Sequence, residues 1–132
     1  MALPKVVVST VEIPVADLPR AIAWYDKVLG FKAGWADAAN AILSRQGESV
    51  RLLLVRTARP ERLVIHPEGT AVVHGVLDLQ TDDLAALHAH LVGAGANPDP
   101  LGPPAHEWAP RGFGFWDSEG NRLGAFSYPQ RT

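Results

Sequence analysis

Three side chains able to hold or move a proton stand in two Val-rich stretches: Glu12 in STVEIPV, and His74 with Asp78 in AVVHGVLDLQ. Both stretches alternate as strands do, which places Glu12 on the face of Thr10, and His74 and Val76 on the face of Asp78. The pair Asp17-Leu18 recurs as Asp83-Leu84 at an offset of 66 residues, and the same offset carries Glu12 onto Asp78 and Thr10 onto Val76. Two carboxylates facing one space can raise one another's pKa, a route to a general base or a proton-holding ligand contact. The same carboxylates can instead pair with Arg51, Arg111 or Arg122 and hold the sheets together, or lie at a solvated rim. His74 can serve as an acid or base near neutral pH, join the two carboxylates around a metal, or be an ordinary hydrogen-bonded residue at a strand end. The other histidines offer less: His88 and His90 lie two apart on a helix and so on different faces, and His66 and His106 sit beside or near prolines in loops.

Aromatic side chains supply the second kind of chemistry, the walls of a site for a flat ligand. Trp35, Trp108, Phe113, Phe115 and Trp116 fall on strands or on the loop leading into them. Of Phe115 and Trp116 only one can point inward, while Trp24 and Tyr25 belong on a helix as core or as a dimer contact. Glu12 is the candidate catalytic group, and Thr10, Trp35, His74, Asp78, Trp108 and Phe115 are the candidate substrate-binding residues.

These groups need elements to position them. KVVVSTVEIPV reads as a strand, with Pro14 at an edge or bulge. Asp17 caps the helix that follows, Pro19 fits its first turn, and Leu18, Ile22, Tyr25, Val28 and Leu29 make its buried stripe before Gly30 stops it. FKAGW, AILSRQ and VRLLLVR are short strands, with Gly47 in a turn. The order then restarts: a strand in AVVHGVLDLQ, a helix in DDLAALHAHLVGAGA, a Pro-rich loop NPDPLGPPAHEWAP that can act as a lid carrying Trp108 or as a plain connector, and strands in GFGFWD and NRLGAFSY. The fold class is α+β, two tandem βαβββ modules whose sheets curve around a cavity with helices outside. One domain spans residues 1–132, with module one at about 5–56, a linker at about 57–70 and module two at about 71–128.

The bulk composition narrows the partner. With 47% hydrophobic and 20% charged residues the chain is made for one globular core, and a formal net charge of -2 without runs of either sign gives nucleic acid or an anionic membrane nothing to hold. Absence of cysteine removes disulfides, thiolate nucleophiles and sulfur-ligated metals. MALPKVVVST has neither the basic head nor the apolar run of a secretory signal, so a cytoplasmic location is expected.

The stretches VEIPVADLPRAIAWYDKVLGF, LDLQTDDLAALHAHLVGAGA and FWDSEGNRLGAF resemble the vicinal oxygen chelate superfamily, which holds glyoxalase I, extradiol dioxygenases and the fosfomycin- and bleomycin-resistance proteins. Metal-using members take ligands, commonly His, Gln or Glu, from the first and last strand of each module. Carried over, those positions are Thr10, Val76, Gly124 and one of Leu52, Leu53 or Leu54, which implies a glyoxalase-like member with no metal and no cofactor. Some glyoxalase-like relatives share E-I-P and G-N-x-x-G, which points to a subgroup where the metal is optional. The resemblance implies a metal-independent protein that binds, and so can sequester, an apolar or aromatic small molecule, a drug or metabolite, with a homodimer completing the cavity. Its alternatives are a lyase, isomerase or dioxygenase with a displaced metal site or with Glu12 as general base, and a scaffold module with an empty cup.

Overall fold

The computed structural model describes residues 2–59, 61–104 and 106–129. β1 (Thr10–Val15) leads into α1 (Leu18–Trp24), a π-helical turn (Tyr25–Leu29), then β2 (Lys32–Ala36), β3 (Asn40–Ser44) and β4 (Arg51–Arg56). The second round runs β5 (Leu77–Gln80), α2 (Leu84–Gly93), β6 (Arg111–Trp116) and β7 (Arg122–Ser127). Both helices start as the repeat requires: the Asp17 carboxylate accepts the Arg20 N–H at 3.1 Å, and that of Asp83 accepts the Ala86 N–H at 3.0 Å. Gly30, with φ of 73°, ends the first helical stretch in the left-handed conformation that a residue with a Cβ avoids.

Two sheets result, ordered β1-β4-β3-β2 and β5-β7-β6, each with its first strand parallel to its last. Module two is the same unit with its outer strand reduced to a remnant. Pro98, Pro100, Pro103 and Pro104 cannot donate to a ladder, and among the described residues a rung from Asp99 N–H to Gly114 O at 2.8 Å marks where that strand would run. The Val-rich stretches also form less strand than their composition suggests. β1 begins at Thr10 because β4 begins opposite it at Arg51, which leaves Leu3, Val6, Val7 and Val8 exposed; β5 begins at Leu77, and His74 makes only an isolated bridge with Ile65.

One face of each sheet packs on the helices. Ile13, Val15, Leu43, Leu52 and Leu54 from the first sheet and Phe113, Phe115, Leu123 and Ala125 from the second form the core with Leu18, Tyr25, Leu84 and Leu91. The modules are joined by the turn Asp117–Asn121, in which the side chains of Asp117, Glu119 and Asn121 are buried. Glu119 accepts the N–H groups of Ala16 and Asp17 at 2.9 and 3.1 Å, and Asn121 donates to Pro14 O at 3.0 Å and accepts from Leu63 N–H at 2.8 Å. Asp117 accepts the Tyr25 hydroxyl at 2.7 Å; burial first, and that carboxylate second, push the Tyr25 phenol far above its ordinary range.

Candidate functional site on the inner sheet faces

The faces turned away from the helices carry the candidate chemistry. In the first sheet, register aligns Glu12 of β1 with Leu53 of β4, Leu53 with Ile42 of β3, and Ile42 with Trp35 of β2. A register shift between Ala33 and Trp35 brings the indole opposite Ile42. The row is an apolar shelf with a carboxylate at one end and an indole, 51% exposed, at the other. Thr10 lies at its margin, paired with Arg51, its hydroxyl 3.2 Å from that of Ser9.

The second sheet has the matching row with different contents. Asp78 of β5 aligns with Gly124 of β7, and Gly124 with Gly114 of β6. Because Glu12 and Asp78 are repeat mates, the two registers make Leu53 the counterpart of Gly124. The glycines leave room that two side chains fill. A Cβ at 124 would stand 2.6 Å from Asp78 Oδ1, and one at 114 would stand 2.2 Å from the Arg122 guanidinium. Arg122, buried, reaches across Gly114 to an ion pair with the half-exposed Asp99, while its guanidinium carbon lies 4.6 Å from the centre of the Trp116 ring. Partial burial raises the Asp78 pKa above its ordinary value, and the nearby His74 opposes that rise.

The structure thus brings Thr10, Glu12 and Trp35 onto one face and puts Asp78 on the other sheet, with His74 near it but outside that sheet, on the isolated bridge to Ile65. Glu12 is not among the causes of the Asp78 shift, so mutual repulsion of the two carboxylates is not what perturbs it. Arg122 pairs with Asp99 rather than with either of them, and Arg111 Nε donates to Gly102 O at 2.7 Å. Trp108 is 76% exposed on the Pro-rich loop, its ring stacked on His106 with centres 4.9 Å apart. Phe115, read from sequence as a binding residue, is fully buried in the core instead. Strand parity puts Phe113 and Phe115 towards α2 and leaves Gly114 and Trp116 on the other face. His88 and His90 bond the backbone carbonyls of Asp99 and Val28 at 2.8 and 2.7 Å.

A divalent cation does not fit the positions where relatives hold one. Thr10, Val76, Leu53 and Gly124 present one hydroxyl among them. Among the described residues no three His, Asp or Glu side chains cluster, so Glu12, His74 and Asp78 are not brought together within the chain.

The model of the Glyoxalase/Bleomycin resistance protein/Dioxygenase superfamily matches residues 7–124, nearly the whole chain. This chain belongs to that superfamily. Among solved structures it is similar to TnmS3, an antibiotic binding protein from Streptomyces sp. CB03234, with 24% identity over 96% of this chain and 99% of that one and a TM-score of 0.74. A glyoxalase/bleomycin resistance protein from the same Streptomyces strain has 26% identity over 89% of this chain and 97% of its own, with a TM-score of 0.62. A superfamily member from Sphaerobacter thermophilus DSM 20745 has 19% identity over 93% and 98%, with a TM-score of 0.70. No curated protein sequence matches the chain. Among the described residues no helix is long and apolar enough to cross a membrane.

Sequence reasoning missed Arg122 and Gly114 as a unit. The signal was G-F-G-F, where glycines alternating with core aromatics leave a side-chain-free track on the opposite face.

Proposed function

We propose that the protein binds a flat apolar or aromatic small molecule without a metal, and so sequesters a drug or metabolite, as a cytoplasmic homodimer. The observation that carries this reading is the open row Glu12, Leu53, Ile42, Trp35. Three strand spacings separate its ends by about 14 Å, the length of three or four fused rings. Leu53 and Ile42 give the rings an apolar bed, Trp35 stacks against one end, and Glu12 recognises a cationic or hydroxyl group at the other. TnmS3, of the same fold, is an antibiotic binding protein, which supports a ligand of this class. Leu3, Val6, Val7, Val8, Val72 and Val76 are exposed in the single chain, and a second copy would cover such surface.

The test is a fluorescence titration with polycyclic aromatic antibiotics, some bearing an amine. Trp35→Ala is expected to weaken binding roughly tenfold or more, since stacking plus lost apolar area is worth over ~1.4 kcal/mol. Glu12→Gln is expected to weaken only the amine-bearing ligands. Wild-type affinity in Trp35→Ala, or no saturable quenching by any such ligand, would remove the inner shelf as the site. Light scattering at the same concentration reads the homodimer, and a monomer would retire it.

An enzymatic reading has one observation on its side, the raised Asp78 pKa. It points to Asp78 as a group that could exchange a proton. A turnover lost in Asp78→Asn and kept in Glu12→Gln supports that assignment; the reverse returns the role to Glu12.

A further inference from the structure

A second feature that the inner shelf does not use lies where the helical stretches meet the end of β6. A cleft of about 410 Å³ opens between the first helical stretch and the turn after α2, with the end of β6 behind it. Arg20, Trp24 and Lys27 line it from one side, Ala94–Asn97 from the other, and Trp116, Asp117 and Ser118 form its back.

Charge decides the kind of ligand. Among the described residues neither Arg20 nor Lys27 has a carboxylate within ion-pair distance. The acid in the lining, Asp117, has both oxygens engaged: Oδ1 accepts the N–H groups of Glu119 and Asn121, and Oδ2 accepts the Tyr25 hydroxyl and the Asn121 amide. The lining therefore sets two unpaired cations against one carboxylate whose oxygens are already occupied, a net positive charge that favours an anion. Ser118 contributes a buried hydroxyl that has no partner within the described protein atoms.

Shape and rigidity decide the rest. Trp116 is braced by the Arg122 guanidinium at 4.6 Å, and Trp24 packs edge-on against Tyr25 with ring centres 4.9 Å apart. Two indoles held in place are ready-made walls for a flat ring and lose little freedom on binding. The volume lies within the roughly 300–1,000 Å³ of small-molecule sites, at the end suited to one or two fused rings.

We infer that this cleft is a second ligand site, separate from the inner shelf, and that it takes a small aromatic anion. The carboxylate or sulfonate lies between Arg20 and Lys27, and the ring lies against Trp24 and Trp116. None of these residues belongs to the Glu12–Trp35 row, so the two sites stand or fall separately.

The chain's four tryptophans provide the readout. The ¹⁵N-labelled protein is titrated with naphthalene-2-carboxylate and, in parallel, with the neutral naphthalene-2-carboxamide, while the indole N–H signals are followed. Saturable shifts at Trp24 and Trp116 are expected with the carboxylate, with Trp108 unmoved; a shift at Trp35, where a flat ring meets the inner shelf, is expected to be the same in the double variant. The carboxamide, and the double variant Arg20→Ala/Lys27→Ala with the carboxylate, are each expected to bind at least ~10-fold more weakly, as the loss of charge-assisted hydrogen bonds requires. Raising the salt concentration is expected to weaken the carboxylate and leave the carboxamide unchanged. Because both cations are exposed, the double variant is expected to melt with the wild type. Shifts confined to Trp35 or Trp108, equal affinity for the two probes, wild-type affinity in the double variant, or no saturable shift at all would overturn the proposal.

Discussion

At position 114 a side chain has been given up so that a neighbour's cation can be buried. The Arg122 guanidinium occupies the space over Gly114, and through it reaches Asp99 and Trp116. Gly114→Ala would place a methyl group in that space, and Arg122 would have to leave its partner while still buried. A loss of about 2–3 kcal/mol is expected, read as a lower urea midpoint with an unchanged slope. Asp78 invites a prediction in pH. Its folded pKa is raised above the unfolded value near 3.8, chiefly by burial, so ionising it is harder in the folded state. Its contribution is fully present below that unfolded value and is lost as pH rises through the folded one. Asp78→Asn is therefore expected to gain stability at neutral pH relative to wild type, and to flatten the fall between acid and neutral pH in denaturant midpoints. The phase of β1 and β5, with Glu12 and Asp78 opposite the core face, could be read from alternation alone. Phe115 could not be placed by its type: an aromatic ring suits a ligand wall and a core equally well, and only the helix covering one face of β6 decides between them.

At the scale of elements, the repeat of Asp-Leu caps gave both helix starts directly, because a capping carboxylate and the first turn it serves are local in sequence. Strand extents are different in kind. A strand exists only as far as its partner runs, so the Val-rich segment before Thr10 has the right residues and no ladder to join. The outer strand of module two fails for the opposite reason, a partner with a free edge but four prolines in the segment that would pair with it. Gly75 shows how closely the approach to β5 is packed on β7. A Cβ there would lie 2.1 Å from Arg122 O, which is backbone and cannot swing aside. Gly75→Ala is expected to cost at least about 3 kcal/mol in chemical denaturation, through displacement of the 73–76 segment from β7. Gly34→Ala, at a position with open space around the added atom, is the matched control and is expected to stay within about 0.5 kcal/mol of wild type.

For the whole molecule the question is what makes two modules one folding unit. Each contains about half the chain and is too small to bury its own sheet well, so the contact between them carries stability that neither has alone. Much of that contact is polar: the turn Asp117–Asn121 sets three buried side chains against the end of β1, the start of α1 and Tyr25. This gives the DSEGN segment of FWDSEGNRLGAF a physical role as a latch, one that belongs to the fold rather than to an activity. Asn121 is its centre, since the one amide group bonds Pro14 O, Asp117 and Leu63 N–H. Asn121→Ala leaves Leu63 N–H and Pro14 O without these partners, at roughly 1–3 kcal/mol for each group that stays buried. The expected outcome is a loss of about 2–5 kcal/mol in a single unfolding transition, with faster amide exchange at Leu63 and at the start of α1. A single transition is required because a module freed of its neighbour has no core sufficient to persist. Two separate transitions in Asn121→Ala, followed by fluorescence and by far-ultraviolet dichroism, would show instead that each module stands by itself and that the latch only sets their relation.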